Sequence, residues 1–366
     1  MLSEKSQKYD IICKVMKILG IESSCDETAA SVVEDGNRVL SNVVNSQIDI
    51  HAAYGGVIPE IAARSHIEVV LPVINQALKD AGCTLDQNQP NKIDAIAVTH
   101  TPGLVGSLLV GTLTARTMAV INNVPFYPTH HLKSHIYANW LTGYNPTFPI
   151  LALVVSGGHT QIIYMQRHDD FHIIGSTRDD AIGEVFDKVA KILGLLYPGG
   201  PNIAKKALNG DPDKYQLPIP KVDGLDFSFS GLKTAVLRAI QKELVLPITT
   251  PSYELKEKLT EQQICDFAAS FQKTAVKILV QKLQKACSMY PEAKSILLAG
   301  GVSANLALRE GLTKAFEKSH EVYFPDLKFA TDNGAMVASA AYYSIQAGEK
   351  ASDPYSLDIS PRSVIK

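Results

Sequence analysis

The sequence predicts a two-lobed α/β fold, built from a duplicated unit with a cleft between its copies, and three observations carry that expectation. The chain has 366 residues, long for one compact core, so two lobes are the natural division. A strand, a short polar turn and a returning strand occupy 17–34, and the same succession restarts at 149–165. Each half then carries a strand that runs into a glycine turn and a helix, at 95–121 and again from 295.

Taken in order, residues 1–15 are a polar leader expected to be peripheral, and Lys17-Ile18-Leu19-Gly20-Ile21-Glu22 is the first clear strand. Ser23 to Thr28 is a polar turn, Ala29 to Glu34 returns, and Asp35-Gly36-Asn37 closes a hairpin into Arg38 to Val44. Val70, Leu71, Ile74 and Leu78 recur at helical spacing, which predicts a helix over 67–81. A strand at 95–99, a turn at 101–106, a helix at 107–121 and a short strand near Phe126 follow.

The second half opens with the continuous apolar strand 149–155, the turn Ser156-Gly157-Gly158-His159-Thr160 and a returning strand to Met165. An amphipathic helix covers 180–195, and Pro198-Gly199-Gly200-Pro201 breaks it into a loop-rich insert ending near Gly231. Helices dominate 232–288, and a strand at 295–299 leads through Gly300 to Asn305 into a helix opened by Leu306. The expected division is an N-terminal lobe at 16–145, a C-terminal lobe with its insert at 146–345, and a tail at 346–366.

Hydrophobic residues make up 46% and charged residues 20% of the chain, as in a soluble globular protein. No run of eighteen apolar residues and no apolar signal core occur, so a cytoplasmic protein without a membrane partner is expected. Cys13, Cys25, Cys83, Cys265 and Cys287 form no CxxC pair, which excludes a disulfide framework and a cysteine zinc site. The net charge of −2 gives no bulk attraction for nucleic acid, so an RNA substrate would need a local basic face or a partner subunit.

His131 and His135 are four apart, and with Thr129 capping a helix both imidazoles would share one face. Two such nitrogens chelate a transition metal that wants a third ligand. Asp332, before a helix start at Gly334, is the candidate, its plainer role being an N-cap. Two imidazoles and one carboxylate suit iron(II) or zinc, and spacing does not choose between them.

Three small-residue turns, at 23–28, 156–158 and 299–303, could receive an anion through backbone amides. No P-loop or GxGxxG pattern is present. Asp180, Glu184 and Asp187 share a helix face: either a solvated acidic stripe or, for Asp187, a ligand contact at the cleft. Asp226 to Lys233 mixes aromatics, hydroxyls and a lysine, which suits either a packed lobe-joining loop or contact with RNA or a phosphate.

These blocks together resemble the TsaD family of tRNA threonylcarbamoyladenosine synthesis, related to the Kae/Qri branch and once labelled glycoproteases. The resemblance runs over 16–345 and rests on GIESSCDET (20–28), HAAYGGVIPEIAARSH (51–66), TPGLVGSLLVG (101–111), HHLKSH (130–135) and LVVSGGHTQ (153–161). It continues through GEVFDKVAKILGLLYPGGP (183–201), DFSFSGLKT (226–234), LAGGVSAN (298–305) and TDNGAM (331–336).

The resemblance implies the two-lobed ASKHA fold of actin, sugar kinases and Hsp70 ATPase domains, with duplicated RNase H-like units. It implies one divalent metal ion at His131, His135 and Asp332, iron(II) in first place and zinc as the alternative. Ligand contacts are implied for Val154, Val155, Ser156, Gly157, Gly158, Asp187, Gly200 and Asn305. The implied reaction moves threonylcarbamoyl from threonylcarbamoyl-AMP to N6 of adenine 37, in tRNAs reading codons that begin with adenine. TsaB-like and TsaE-like subunits are the implied partners.

Leu132-Lys133-Ser134 departs from the family's usual Met-Glu-Gly, so the lysine is expected to alter the charge at the site's rim. Three other functions compete. A metallopeptidase of the H-E-x-x-H kind would need a glutamate where Leu132 stands. A regulatory ATPase of the same fold would need no histidine-bound metal. A carbamoyltransferase acting on a small molecule would share the chemistry, but the chain lacks the length for large extra domains.

Overall fold

The computed structural model describes residues 15–356, 359–362 and 365. The expectation for 1–15 thus falls, Val15 apart, outside the described residues. The first half runs β1 (Lys17–Glu22), β2 (Glu27–Glu34), β3 (Arg38–Ser46), α1 (Ile48–Ala52), α2 (Pro59–Ala81), β4 (Ala95–Thr101), α3 (Val105–Asn122) and β5 (Phe126–His130). α4 (His131–Tyr137) then leads into β6 (Ile150–Val155), β7 (Thr160–Arg167), β8 (Asp170–Ser176), α5 (Ile182–Ile192), α6 (Gly199–Ala207), α7 (Ser230–Glu243) and α8 (Glu261–Met289). β9 (Ser295–Ala299), α9 (Leu306–Phe316), β10 (Glu321–Tyr323), α10 (Leu327–Ala330) and α11 (Gly334–Gln346) complete the order.

The duplication is visible in the sheets. One has the order β3-β2-β1-β4-β5 and the other β10-β9-β6-β7-β8, the same arrangement written from the opposite edge. In each, the first three strands pair antiparallel and the last two join in parallel. β6 shows why its sequence is continuously apolar. Leu151, Leu153 and Val155 enter one core while Ile150, Ala152 and Val154 enter another, so both faces are covered.

α4 and α11 lie between the two sheets. Leu132, Ile136 and Tyr137 of α4 pack with Ile150, Ala152, Val154, Leu297 and Ala299 of the second sheet. Ala335, Met336, Val337 and Ala338 of α11 pack with Ile18, Val33, Ala95 and Ala97 of the first. The last helix thus returns to the first sheet, although its order along the chain put it with the C-terminal lobe. The tail follows it: Ser352 N donates to Phe126 O (2.9 Å), Thr101 Oγ1 donates to Ser360 O (2.6 Å), and Ile365 is buried.

Several local expectations shift. α2 starts at Pro59, whose missing N–H costs nothing in a first turn, and ends at Gly82 with φ 61°. The insert is not all loop, since Gly199–Ala207 is helical. Pro198 is its N-cap and Pro201 falls in the first turn, where N–H groups lack helical partners anyway. α3 has 18 residues and a mean hydropathy of 1.2, long and apolar enough by composition to cross a membrane. Here Leu108, Gly111, Ala115 and Ala119 are buried in the first lobe. Cys25, Cys83, Cys265 and Cys287 are free thiols.

Candidate metal centre and interlobe cleft

Strand β5 runs through Thr129, whose hydroxyl donates to Val98 O (3.2 Å), so Thr129 does not cap the helix. His130 holds the cap position and makes no side-chain cap bond. The expected consequence survives: one helical turn brings the His131 and His135 rings to 4.6 Å between centroids. Asp332 is not a cap either. Asn333 caps α11 by accepting from Met336 N (2.9 Å), which leaves the Asp332 carboxylate free to face the histidines.

Asp332 Oδ1 lies 3.0 Å from His135 Nε2 and 3.7 Å from His131 Nε2. Two ligands on one ion, each about 2.1 Å away, stand roughly 3.0–3.4 Å apart for right-angle to tetrahedral arrangements. The 3.0 Å contact lacks hydrogen-bond geometry, and both ring nitrogens of buried His135 have no hydrogen-bond partner. Buried polar atoms are ordinarily satisfied. Lone pairs of all three residues gathered within 4.8 Å fit a divalent cation.

Behind His131 stands Glu22, the last residue of β1 and fully buried. Its Oε1 accepts from Ser24 N (2.6 Å) and its Oε2 from Thr99 Oγ1 (2.5 Å), with His131 Nδ1 at 3.2 Å from Oε2. Ser24 Oγ is 3.2 Å from the same nitrogen. Burial opposes charge on His131, but the Asp332 and Glu22 carboxylates outweigh it and push the imidazole up to about 9. Burial likewise works to raise Asp332, yet His131 and His135 hold it down at about 2. His159 feels the same cluster: burial and the two imidazoles depress it to about 4.

The glycine turns of the second sheet form one wall. Ser156 N donates to His159 O (2.8 Å), and Gly157 and Gly158 have open space where a Cβ would stand. Gly183 seats α5 on this turn, since a Cβ there would lie 2.5 Å from Ser156 O. Asp187 Oδ1 on α5 accepts from Gly199 N (2.7 Å), which brings Gly200 to the same side, again with open space. Gly300, at φ 86°, lies against Val155 O. Val154 and Val155 are fully buried, so only their backbone could meet a ligand. Asn305 caps α9 by accepting from Leu308 N (3.1 Å) and donates to Gln272 Oε1 (2.9 Å).

Three other motifs resolve differently. The acidic face splits: Lys188 Nζ bridges Asp180 (2.6 Å) and Glu184 (2.9 Å), while Asp187 turns to Gly199. Asp226 to Lys233 does not join the lobes. Phe227 and Phe229 are buried in the second lobe's core, and Asp179 receives Ser228 Oγ, Ser230 Oγ and Phe229 N. Lys133 leaves the rim, with Nζ 4.6 Å over the Phe171 ring. Two residues along a helix from His131 is the opposite face.

Sequence reasoning missed Glu22, His159 as a neighbour of the pair, and Tyr197. The Tyr197 phenol is pushed up by burial and by Asp26 of the first lobe and Asp187 of the second, so it sits where the lobes face each other. Glu27 is pushed well up by burial, Asp332 and Asp26. The first-lobe turn itself is held by His66 Nε2 (2.9 Å) and Ser107 Oγ (3.1 Å), both donating to Cys25 O.

Residues 38–339 match the model of the TsaD family, tRNA N6-adenosine threonylcarbamoyltransferase. A protein of that name from Symbiobacterium thermophilum is 51% identical over 333 residues, 90% of this chain and 92% of its own. One from Caldicellulosiruptor bescii is 48% identical over 334 residues, 91% and 94% of the two chains. Among solved structures, HypF of T. kodakarensis superposes with a TM-score of 0.56 at 13% identity, over 91% of this chain and 48% of that one. That likeness concerns the ASKHA fold alone.

Proposed function

Because the chain belongs to the TsaD family of tRNA N6-adenosine threonylcarbamoyltransferases, we propose that it transfers threonylcarbamoyl from threonylcarbamoyl-AMP to N6 of adenine 37. The acceptors are tRNAs reading codons that begin with adenine, and the enzyme acts in the cytoplasm. His131, His135 and Asp332 hold one divalent ion, iron(II) before zinc. The observation that carries this reading is the convergence of three buried ligand atoms, two of them orphaned nitrogens of His135's ring neighbourhood and its partner carboxylate, at the mouth of a glycine-lined cleft.

When bound, the ion supplies Lewis-acid polarisation and a fixed orientation for the acyl carbonyl. The amides around Ser156, Gly157, Gly158 and Gly200 approach the AMP portion closely because no side chains intervene. Asp187 borders the same wall and accepts from Gly199 N, which holds the turn to α5. The exocyclic nitrogen of adenine forms a bond to the carbonyl carbon, the bond to the phosphate oxygen breaks, and AMP leaves. Such an amine is a weak nucleophile, so positioning and electrostatics contribute most of the acceleration.

A net charge of −2 supports tRNA capture shared with TsaB-like and TsaE-like subunits. An exposed apolar face is available to a partner, with Ile67 and Leu71 on α2 and Val105, Leu109 and Leu113 on α3. The test is incubation with threonylcarbamoyl-AMP and tRNA, with and without those subunits, and mass analysis of the nucleosides. Modified adenosine is the expected product. Its absence in the complete mixture, with metal present, would refute the reading.

A further inference from the structure

We infer that Glu22 is the positioning residue of the metal centre: its carboxylate takes the Nδ1 proton of His131 and so commits Nε2 to the ion. The inference rests on the metal reading above, and geometry carries it. A buried carboxylate is costly unless its oxygens are satisfied. Glu22 is satisfied from both sides by the protein's frame, through Ser24 N at 2.6 Å and Thr99 Oγ1 at 2.5 Å. Ser24 follows β1 and Thr99 lies in β4, its parallel neighbour, so both anchors belong to the first sheet. What remains of Oε2 faces His131 Nδ1 at 3.2 Å.

The direction of the imidazole follows. With Nδ1–H donating to Glu22, the lone pair is on Nε2, the nitrogen that faces Asp332 at 3.7 Å. A histidine without such a partner populates both tautomers and swings about its side-chain torsions. Carboxylates placed behind metal-binding histidines fix tautomer and ring orientation, and their loss weakens metal affinity about 10–100-fold. His135 has no counterpart, since its Nδ1 is buried without a hydrogen-bond partner. His131 is therefore the ligand whose orientation is set by design of the first sheet.

Zinc titration with a competing chelator tests this on the whole chain, comparing wild type, Glu22→Gln, Glu22→Asp and Thr99→Val. Glu22→Gln should bind zinc about 10–100-fold more weakly, with Thr99→Val intermediate and Glu22→Asp partly restored. Equal zinc affinity in wild type and a folded Glu22→Gln overturns the inference. Nitrogen-15 NMR of the imidazoles supplies a second readout. A far-downfield Nδ1–H of His131 should be present in wild type and absent in Glu22→Gln. If wild type binds no zinc, the metal reading fails, and this resonance alone decides: its persistence in Glu22→Gln overturns the inference and its loss supports it.

Discussion

Gly20 and Gly334 meet backbone to backbone: a Cβ on Gly20 would lie 2.1 Å from the Gly334 carbonyl oxygen, and one on Gly334 would lie 2.5 Å from that of Gly20. This contact presses the start of α11 onto β1, and Asp332 is two residues upstream. Gly20→Ala should destabilise the protein by about 1–3 kcal/mol, the usual cost of overpacking. Thermal denaturation measures the loss, and zinc affinity should fall with it because Asp332 moves. An unchanged melting temperature would show that α11 is not seated by this contact.

His135→Ala should abolish metal binding while leaving the fold intact. The ring has no hydrogen-bond partner on either nitrogen, so the fold loses no polar contact with it. Metal analysis of purified protein and a circular dichroism spectrum separate the two effects.

In metal-free protein, His131 links stability to pH. Its folded value of about 9 lies above the ordinary 6.5, through attraction by Asp332 and Glu22 against burial. The stabilisation is therefore complete below 6.5 and is lost as pH rises through about 9. The difference in melting temperature between metal-free wild type and His131→Ala should shrink over that interval. Asp332 behaves oppositely: its contribution is present above 3.8 and is lost as pH falls through about 2.

Asp179→Ala should destabilise the second lobe by about 1 kcal/mol, as for a lost helix-start acceptor. Its carboxylate receives Phe229 N at 2.7 Å and Ser230 Oγ at 2.9 Å at the start of α7. Zinc titration of the variant should match wild type, because none of these groups touches the metal centre.

Lys133→Ala should likewise leave zinc affinity unchanged and cost about 0.5–1 kcal/mol at most, the size of a partly exposed cation–π contact. A change in zinc affinity would place the lysine back at the rim.

The duplicated sheets were legible because strand, polar turn and strand recur within short windows. His131 and His135 were legible for the same local reason, one helical turn. Glu22 was not: it stands 109 residues from His131, and the two meet only because β1, β4 and β5 lie side by side. A glutamate closing an apolar strand was the available signal. α6 was hidden by prolines and glycines that break a helix interior but suit its first turn. The return of α11 to the first sheet is a tertiary choice that no local pattern encodes.

The layer formed by α4 and α11 has a mechanical consequence. Both helices begin at the metal triad, and each is packed into the core of a different sheet. A rocking of one sheet against the other would turn about this layer, as a door turns on its pin. Points on the far edges, such as Asp26 and Tyr197, would sweep the greatest distance, while His131, His135 and Asp332 would scarcely shift. The cleft can thus gape for a bulky polynucleotide and shut on it with the coordination geometry held at the still point of the motion.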